Sequence, residues 1–408
     1  MVSASTKRAY GVYAGLAITN VAVSAGLLLL LANALSVEDY ATFGVVSTLA
    51  GLGLLVVNAG HKEALFKFAS QSEELTLQRT VQSLQNWLIP FFLLAAALLV
   101  ISLWAGLASL MFLLVYVVIA AAAVFRGRQQ YTRDAAMWPL YRAFWLAGCA
   151  AIVFAGSPMY LAAVFGLGCL AALLTFLLLG GHKIVRELSG FPIQLSLPFS
   201  NPTLRQFFYI EVATVAYIKV DVLLLAFLGV PSGDIASYFF SIQLFEAVLL
   251  VLMPLGYLFF NRINGTDSPS VKRAALFVFG GGVILLSLVA MLGWAVVGPT
   301  LLETLFANYV SSNATTAVLL IALLPWGLAL LFSYWLVAQD RERLVAWVFF
   351  MGLVLHLILN AVLIPTWGVQ GAAWARVATE CFIACMLLAA AIKTGSLTEK
   401  TQDSQSLV

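Results

Sequence analysis

Apolar residues in this chain come in blocks of about twenty, separated by short polar breaks. The blocks have helix length and lack the alternation of membrane-barrel strands. The pattern therefore predicts α-helices in lipid, where every backbone N–H and C=O must be satisfied within the chain. About twelve spans are predicted at roughly twenty residues per crossing. They start near Tyr10, Tyr40, Asn86, Ala108, Met137, Met159, Leu204, Asp234, Ala274, Asn313, Leu344 and Val369. The third and fourth form one apolar block broken only around Trp104 to Ser109, so about eleven is the nearest alternative.

Composition agrees with this pattern. With 62% hydrophobic and 10% charged residues and a mean hydropathy of +1.01, the chain lacks the charge that a soluble surface requires. The first block runs from about Tyr10 to Ala34, too long for the core of a cleavable signal, and is expected to be a membrane span. Cys149, Cys169, Cys381 and Cys385 all fall inside apolar blocks and are expected to act as small apolar filler, with no disulfide or metal role.

Charge at the breaks gives the orientation. Lys and Arg recur at every second break: Lys7 and Arg8; Lys62, Lys67 and Arg79; Arg126, Arg128 and Arg133; Lys183, Arg186 and Arg205; Arg262, Lys272 and Arg273; Arg341 and Arg343; Lys393 and Lys400. The intervening turns, around Ser36, Trp104, Gly156, Gly229, Gly298 and Pro365, carry none. The positive-inside rule then places both termini in the cytoplasm. Two longer basic-side connections, His61 to Gln85 and His182 to Arg205, repeat apolar residues at helical spacing and are expected to be interfacial amphipathic pieces. Asn201 followed by Pro202 is a helix-start signal.

That second connection divides the chain into two lobes of six spans, 1–200 with a cytoplasmic linker and 201–408 with a cytoplasmic tail. The lobes resemble each other: aligning VEDYATFGVVSTL with SGDIASYFFSIQL pairs Asp39 with Asp234, Ala41 with Ala236 and Thr42 with Ser237, each at the opening of a second span. An even number of spans per repeat makes the repeats parallel, as in transporters that rock two bundles about a central path.

Charges inside the apolar blocks are the candidate chemistry, because a charge at the bilayer centre costs about 2.5–3.5 kcal/mol and faces a partner or a watery cavity. The seventh span carries Glu211, Lys219 and Asp221, the eighth Glu246, the twelfth Arg376 and Glu380, and the fifth Arg142. Arg376 and Glu380 are four apart and can pair on one helix face. Lys219 and Glu246 are both mid-span and can pair between helices, whereas Asp221 lies about 200° around its helix from Lys219. Either these charges neutralise one another, or they line a hydrophilic path. Arg142, Lys219 and Arg376, with Lys62 and Lys67 at the inward mouth, are the candidates for contact with cargo. Asp221, Glu246, Glu211 and Glu380 are the candidates for a coupling ion or for structural pairs. Asn20, Ser24, Asn58, Gln243, His356 and Asn360 are expected to hydrogen-bond between helices. No Walker loop, HExxH or large extramembrane segment occurs, so no catalytic residue, metal or cofactor is expected and the energy source is an ion, potential or substrate gradient.

Three stretches resemble a known family. LANALSVEDYATFGVVSTLAGLGLLVVNAG, KVDVLLLAFLG and NAVLIPTWGVQGAAWAR are similar to the first two, the seventh, and the eleventh-to-twelfth spans of Wzx-type O-antigen and polysaccharide flippases. One departure falls at Ala307, where relatives usually carry Gly. The resemblance implies two six-helix lobes around a central cavity in the multidrug/oligosaccharidyl-lipid/polysaccharide exporter superfamily. It implies alternating-access transfer of lipid-pyrophosphate-linked oligosaccharides across the bacterial inner membrane, with membrane lipids and other polysaccharide assembly proteins as partners and no nucleic acid. It also implies Arg376, Lys219 and Arg142 as the pyrophosphate-facing cations. The competing expectation is an ion-coupled small-molecule exporter of the same superfamily.

Overall fold

A computed structural model describes residues 4–58, 60–62, 65, 74–128, 130–181, 202–264, 268–339 and 341–393. The helices of the first half are α1 (Ala4–Ala34), α2 (Val37–Asn58), α3 (Glu74–Ile101), α4 (Leu103–Gly127), α5 (Tyr131–Phe154) and α6 (Leu161–Leu178). Those of the second are α7 (Pro202–Phe227), α8 (Ser232–Asn264), α9 (Pro269–Leu305), α10 (Ser312–Ile321), α11 (Leu323–Val337) and α12 (Glu342–Lys393). The tenth crossing is shared by α10 and α11, which meet at Ala322. α12 supplies two crossings, because Gly368 breaks it with φ 54° and ψ −133°, a conformation essentially reserved for glycine. The architecture is thus all-helical with twelve crossings.

Several helices run further than the sequence pattern predicts. The stretch expected to form a separate amphipathic piece before the third span belongs, from Glu74 onward, to α3 itself, with Val81 and Leu84 buried in the bundle. Its partner stretch and the boundary near residue 200 lie outside the described residues. α9 passes through Pro299 to Leu305, and the first arm of α12 passes through Pro365, so the expected turns begin later than the prolines. A proline removes one intrahelical bond, and near a helix end that loss is small enough to be absorbed.

Packing repeats between the halves. α1 lies on α5, α3 on α4, α4 on α6 and α5 on α6; correspondingly α7 lies on α12, α9 on α10 and α11, and α10 and α11 on α12. The halves meet reciprocally, α1 against α8 and α2 against α7, with α2 against α8. The hairpin of α12 closes tightly: a Cβ on Gly371 would come within 2.1 Å of the Leu363 carbonyl oxygen, and Ala372 and Ala373 are fully buried. Outward faces are apolar at spacings of about seven residues, as Val278, Leu285 and Leu292 on α9 show, which is the face a lipid solvent selects.

Candidate functional site

Three helices of the second half, α7, α8 and α12, converge on a buried polar cluster. Asp221 of α7 is 1% exposed. Its carboxylate accepts from the Tyr238 hydroxyl of α8 at 2.8 Å and from Asn360 Nδ2 of α12 at 3.3 Å, contacts His356 Nε2, and lies 3.6 Å from Arg376 Nη1. Arg376, also 1% exposed, pairs through Nε with Glu380 at 3.1 Å, donates to the Tyr217 carbonyl at 3.3 Å, and stacks over the Tyr217 and Phe245 rings. Tyr217 donates its hydroxyl to Glu380 at 3.2 Å.

Hydrogen-bond roles fix the proton count in this cluster. The Thr379 hydroxyl donates to the Ala375 carbonyl at 2.8 Å, so its oxygen accepts from His356 Nδ1–H at 3.0 Å. With Nδ1 protonated, the contact between Nε2 and Asp221 requires one proton between them, giving either imidazolium with carboxylate or imidazole with carboxylic acid. Asp221 and Glu380 together carry two negative charges against the single positive charge of Arg376. The proton shared by Asp221 and His356 makes the cluster neutral, and low-dielectric surroundings favour that state strongly.

A second set of charges sits between the halves at mid-depth. Lys219 of α7 and Glu246 of α8 form an ion pair with side chains 29% and 30% exposed. Arg142 of α5 donates to Asn20 Oδ1 at 3.1 Å and to Ser24 on α1, lies over the Trp138 ring, and experiences the field of Glu246. Among the described residues this cleft therefore presents two cations to one carboxylate.

Toward the end of the bundle remote from the N terminus, aromatic rings close the interface. Tyr40 and Phe43 of α2 meet Phe239 of α8 at ring separations of 5.4 and 6.0 Å, and Tyr40 meets Tyr309 at 5.4 Å. A Cβ on Gly44 would lie 2.6 Å from the Phe239 ring, so glycine permits this approach. Asn33 of α1 also donates to the Leu305 carbonyl at 3.0 Å. The Tyr40 and Tyr309 hydroxyls are buried there without a hydrogen-bond partner among the described residues.

Both predicted pairs form, and the angular argument separating Asp221 from Lys219 matches their different surroundings. The structure buries Arg376, Glu380 and Asp221 inside the second half, whereas Lys219 and Glu246, on the neighbouring positions of α7 and α8, are part-exposed and Glu246 acts on Arg142 of the first half. Lys62 is half-buried beyond α2, where its backbone N–H is capped by the Asn58 carboxamide at 2.8 Å. Lys67 lies outside the described residues, and of Glu211 only its place in α7 is described. Cys149 and Cys169 are buried, whereas Cys381 and Cys385 are exposed on the bundle surface. Sequence reasoning missed Tyr217, Tyr238 and Thr379. The available signal was helical spacing: Tyr217 with Asp221 and His356 with Asn360 are each four apart.

No family model and no curated protein matches the chain. Solved structures do match over nearly its full length. A eukaryotic MATE transporter, AtDTX14, superposes with a TM-score of 0.63 at 16% identity, covering 96% of this chain and 97% of the other. A Vibrio cholerae MATE transporter, VcmN, gives 0.63 at 13% identity over 96% and 98%. An outward-facing multidrug resistance MATE transporter of the MOP superfamily gives 0.64 at 12% over 97% of each. The chain has the twelve-helix MATE-like fold, and at these identities the likeness is one of fold.

Proposed function

We propose that this chain is an alternating-access flippase that carries an anionic amphiphile across a bacterial inner membrane with both termini cytoplasmic. The cargo is a lipid-pyrophosphate-linked oligosaccharide unit used in surface polysaccharide assembly. The observation that carries this reading is the cleft between the halves, where Arg142 and Lys219 outnumber Glu246 at half-exposed positions. A pyrophosphate competes with Glu246 for Lys219, so cargo binding loosens the contact between α7 and α8. Lys62 and Lys67 add positive charge at the inward mouth. Arg376 serves as counter-charge within the buried cluster rather than as a cargo contact.

The buried cluster supplies the coupling in this reading. Losing its extra proton leaves a net negative charge among groups 0–1% exposed, which a low-dielectric interior resists, so deprotonation accompanies a rearrangement of α7, α8 and α12. Deleting the gene tests the cargo: lipid-linked units accumulate on the inner leaflet and surface polysaccharide disappears, whereas normal surface polysaccharide overturns the flippase reading. A second reading, export of small molecules, draws on the multidrug resistance transporters among the fold neighbours. Altered drug susceptibility with intact surface glycan selects it. The net positive cleft favours anionic over cationic compounds in either case.

A further inference from the structure

Outside the central cleft, the first half contains a cavity of about 370 Å³ between α3, α4 and α6, a volume within the range of small-molecule sites. Val81, Leu84 and Leu88 of α3, Ala121 of α4 and Ala172 of α6 wall it, with Leu65. Among the described residues the lining is apolar, so it offers water no partners. Small side chains at Ala120, Ala121 and Ala172 leave the space open. Ile89 and Leu173, which also line it, are 46% and 43% exposed on the outer face of the bundle, so the cavity opens sideways between α3 and α6 into the hydrocarbon.

We propose that this cavity is a binding site for one acyl chain of a membrane phospholipid. Length supports the assignment. From Val81 to Phe92 the lining of α3 rises about 16 Å at ~1.5 Å per residue, half of a ~30 Å hydrocarbon core and hence one leaflet. An acyl chain fills that depth, whereas a polyprenyl chain overruns it. Charge supports it as well: the cavity lies beside the last turns of α4, where Arg126 and Arg128 follow in sequence, so the headgroup end of the lipid falls at the basic end of the bundle. The site is separate from the cargo cleft and independent of the flippase reading.

Photolabelling tests it. The full chain is reconstituted in nanodiscs containing phosphatidylglycerol with a diazirine in one acyl chain, irradiated, and mapped by peptide mass spectrometry. Expected labelling concentrates on the α3, α4 and α6 peptides and falls about tenfold or more in Ala121→Phe, whose ring excludes more than the roughly two buried methylenes that a tenfold loss represents. Ile89→Trp, at the exposed rim, gives the same fall without enlarging a buried side chain, so a folding failure of the first variant leaves the answer intact. Labelling that is spread equally over the lipid-facing surface of α9, or unchanged in both variants, overturns the site. Labelling by a diazirine polyprenyl phosphate but not by the phospholipid overturns the occupant.

Discussion

Arg376→Met removes the guanidinium that faces two buried carboxylates. At an effective dielectric of about 20, charges separated by the observed 3.1 Å and 3.6 Å attract by about 5 kcal/mol each, and the desolvation of the three groups offsets much of this. Truncating one partner of such a buried network costs about 3–5 kcal/mol, because the remaining carboxylates must protonate or rearrange. Glu380→Gln acts differently. It removes one of the two negative charges, so neutrality no longer needs the proton shared by Asp221 and His356, and it keeps an acceptor for Tyr217; its cost is expected to be about 1 kcal/mol. Combining the two changes leaves Asp221 balanced by a protonated His356, so the double variant is expected to recover about half of the Arg376→Met loss or more. Reversible unfolding in mixed detergent micelles measures all three, and cargo-driven proton movement in proteoliposomes reports coupling. Glu380→Gln is expected to fold normally and to lose proton movement, since its cluster is neutral without the exchangeable proton. Arg376→Met within about 1 kcal/mol of the parent, or a double variant less stable than either single one, would refute the charge count.

Lys219→Ala is expected to lower transport about tenfold while changing stability by about 1 kcal/mol or less, because its ion pair is part-exposed and screened, and Lys219→Arg retains activity; Arg142→Ala is expected to lower transport similarly but also to cost about 1–2 kcal/mol, because it leaves Asn20 and Ser24 without their donor. Transport assays beside unfolding curves separate these effects, and equal losses in both would assign the residues to packing. Tyr40→Phe deletes a buried hydroxyl without a partner and is expected to stabilise the aromatic closure by about 1 kcal/mol, seen as slower thiol labelling of a cysteine placed at Ser36. Unchanged labelling contradicts the closure. Gly368→Ala forces a side chain into a glycine-only conformation and is expected to cost about 1–3 kcal/mol in the same unfolding assay.

Much of the architecture was legible because lipid imposes a strong rule on sequence. Start points from Tyr10 to Val369 follow the apolar blocks, and the alignment of Val37–Leu49 with Ser232–Leu244 marks two helices, α2 and α8, that pack on each other. Spacing alone anticipated the pairs Arg376 with Glu380 and Lys219 with Glu246. The turns expected around Gly298 and at Pro365 start too early, since Pro299 and Pro365 each lie within the closing turns of a helix that can spare one bond.

Which charges share a site was a different matter. Asp221 and His356 are separated by 135 positions, and Tyr217 and Glu380 by 163, so no local pattern joins them. Helical periodicity gives the angle of a side chain about its own axis but not the neighbour it meets. Hydropathy determined that the chain is a bundle of membrane helices and the order of its crossings, while several helices begin earlier than their apolar blocks. The packing of α7 against α12, and of α1 and α2 against α7 and α8, decided that Arg376 is buried among carboxylates while Lys219 and Arg142 face the cleft.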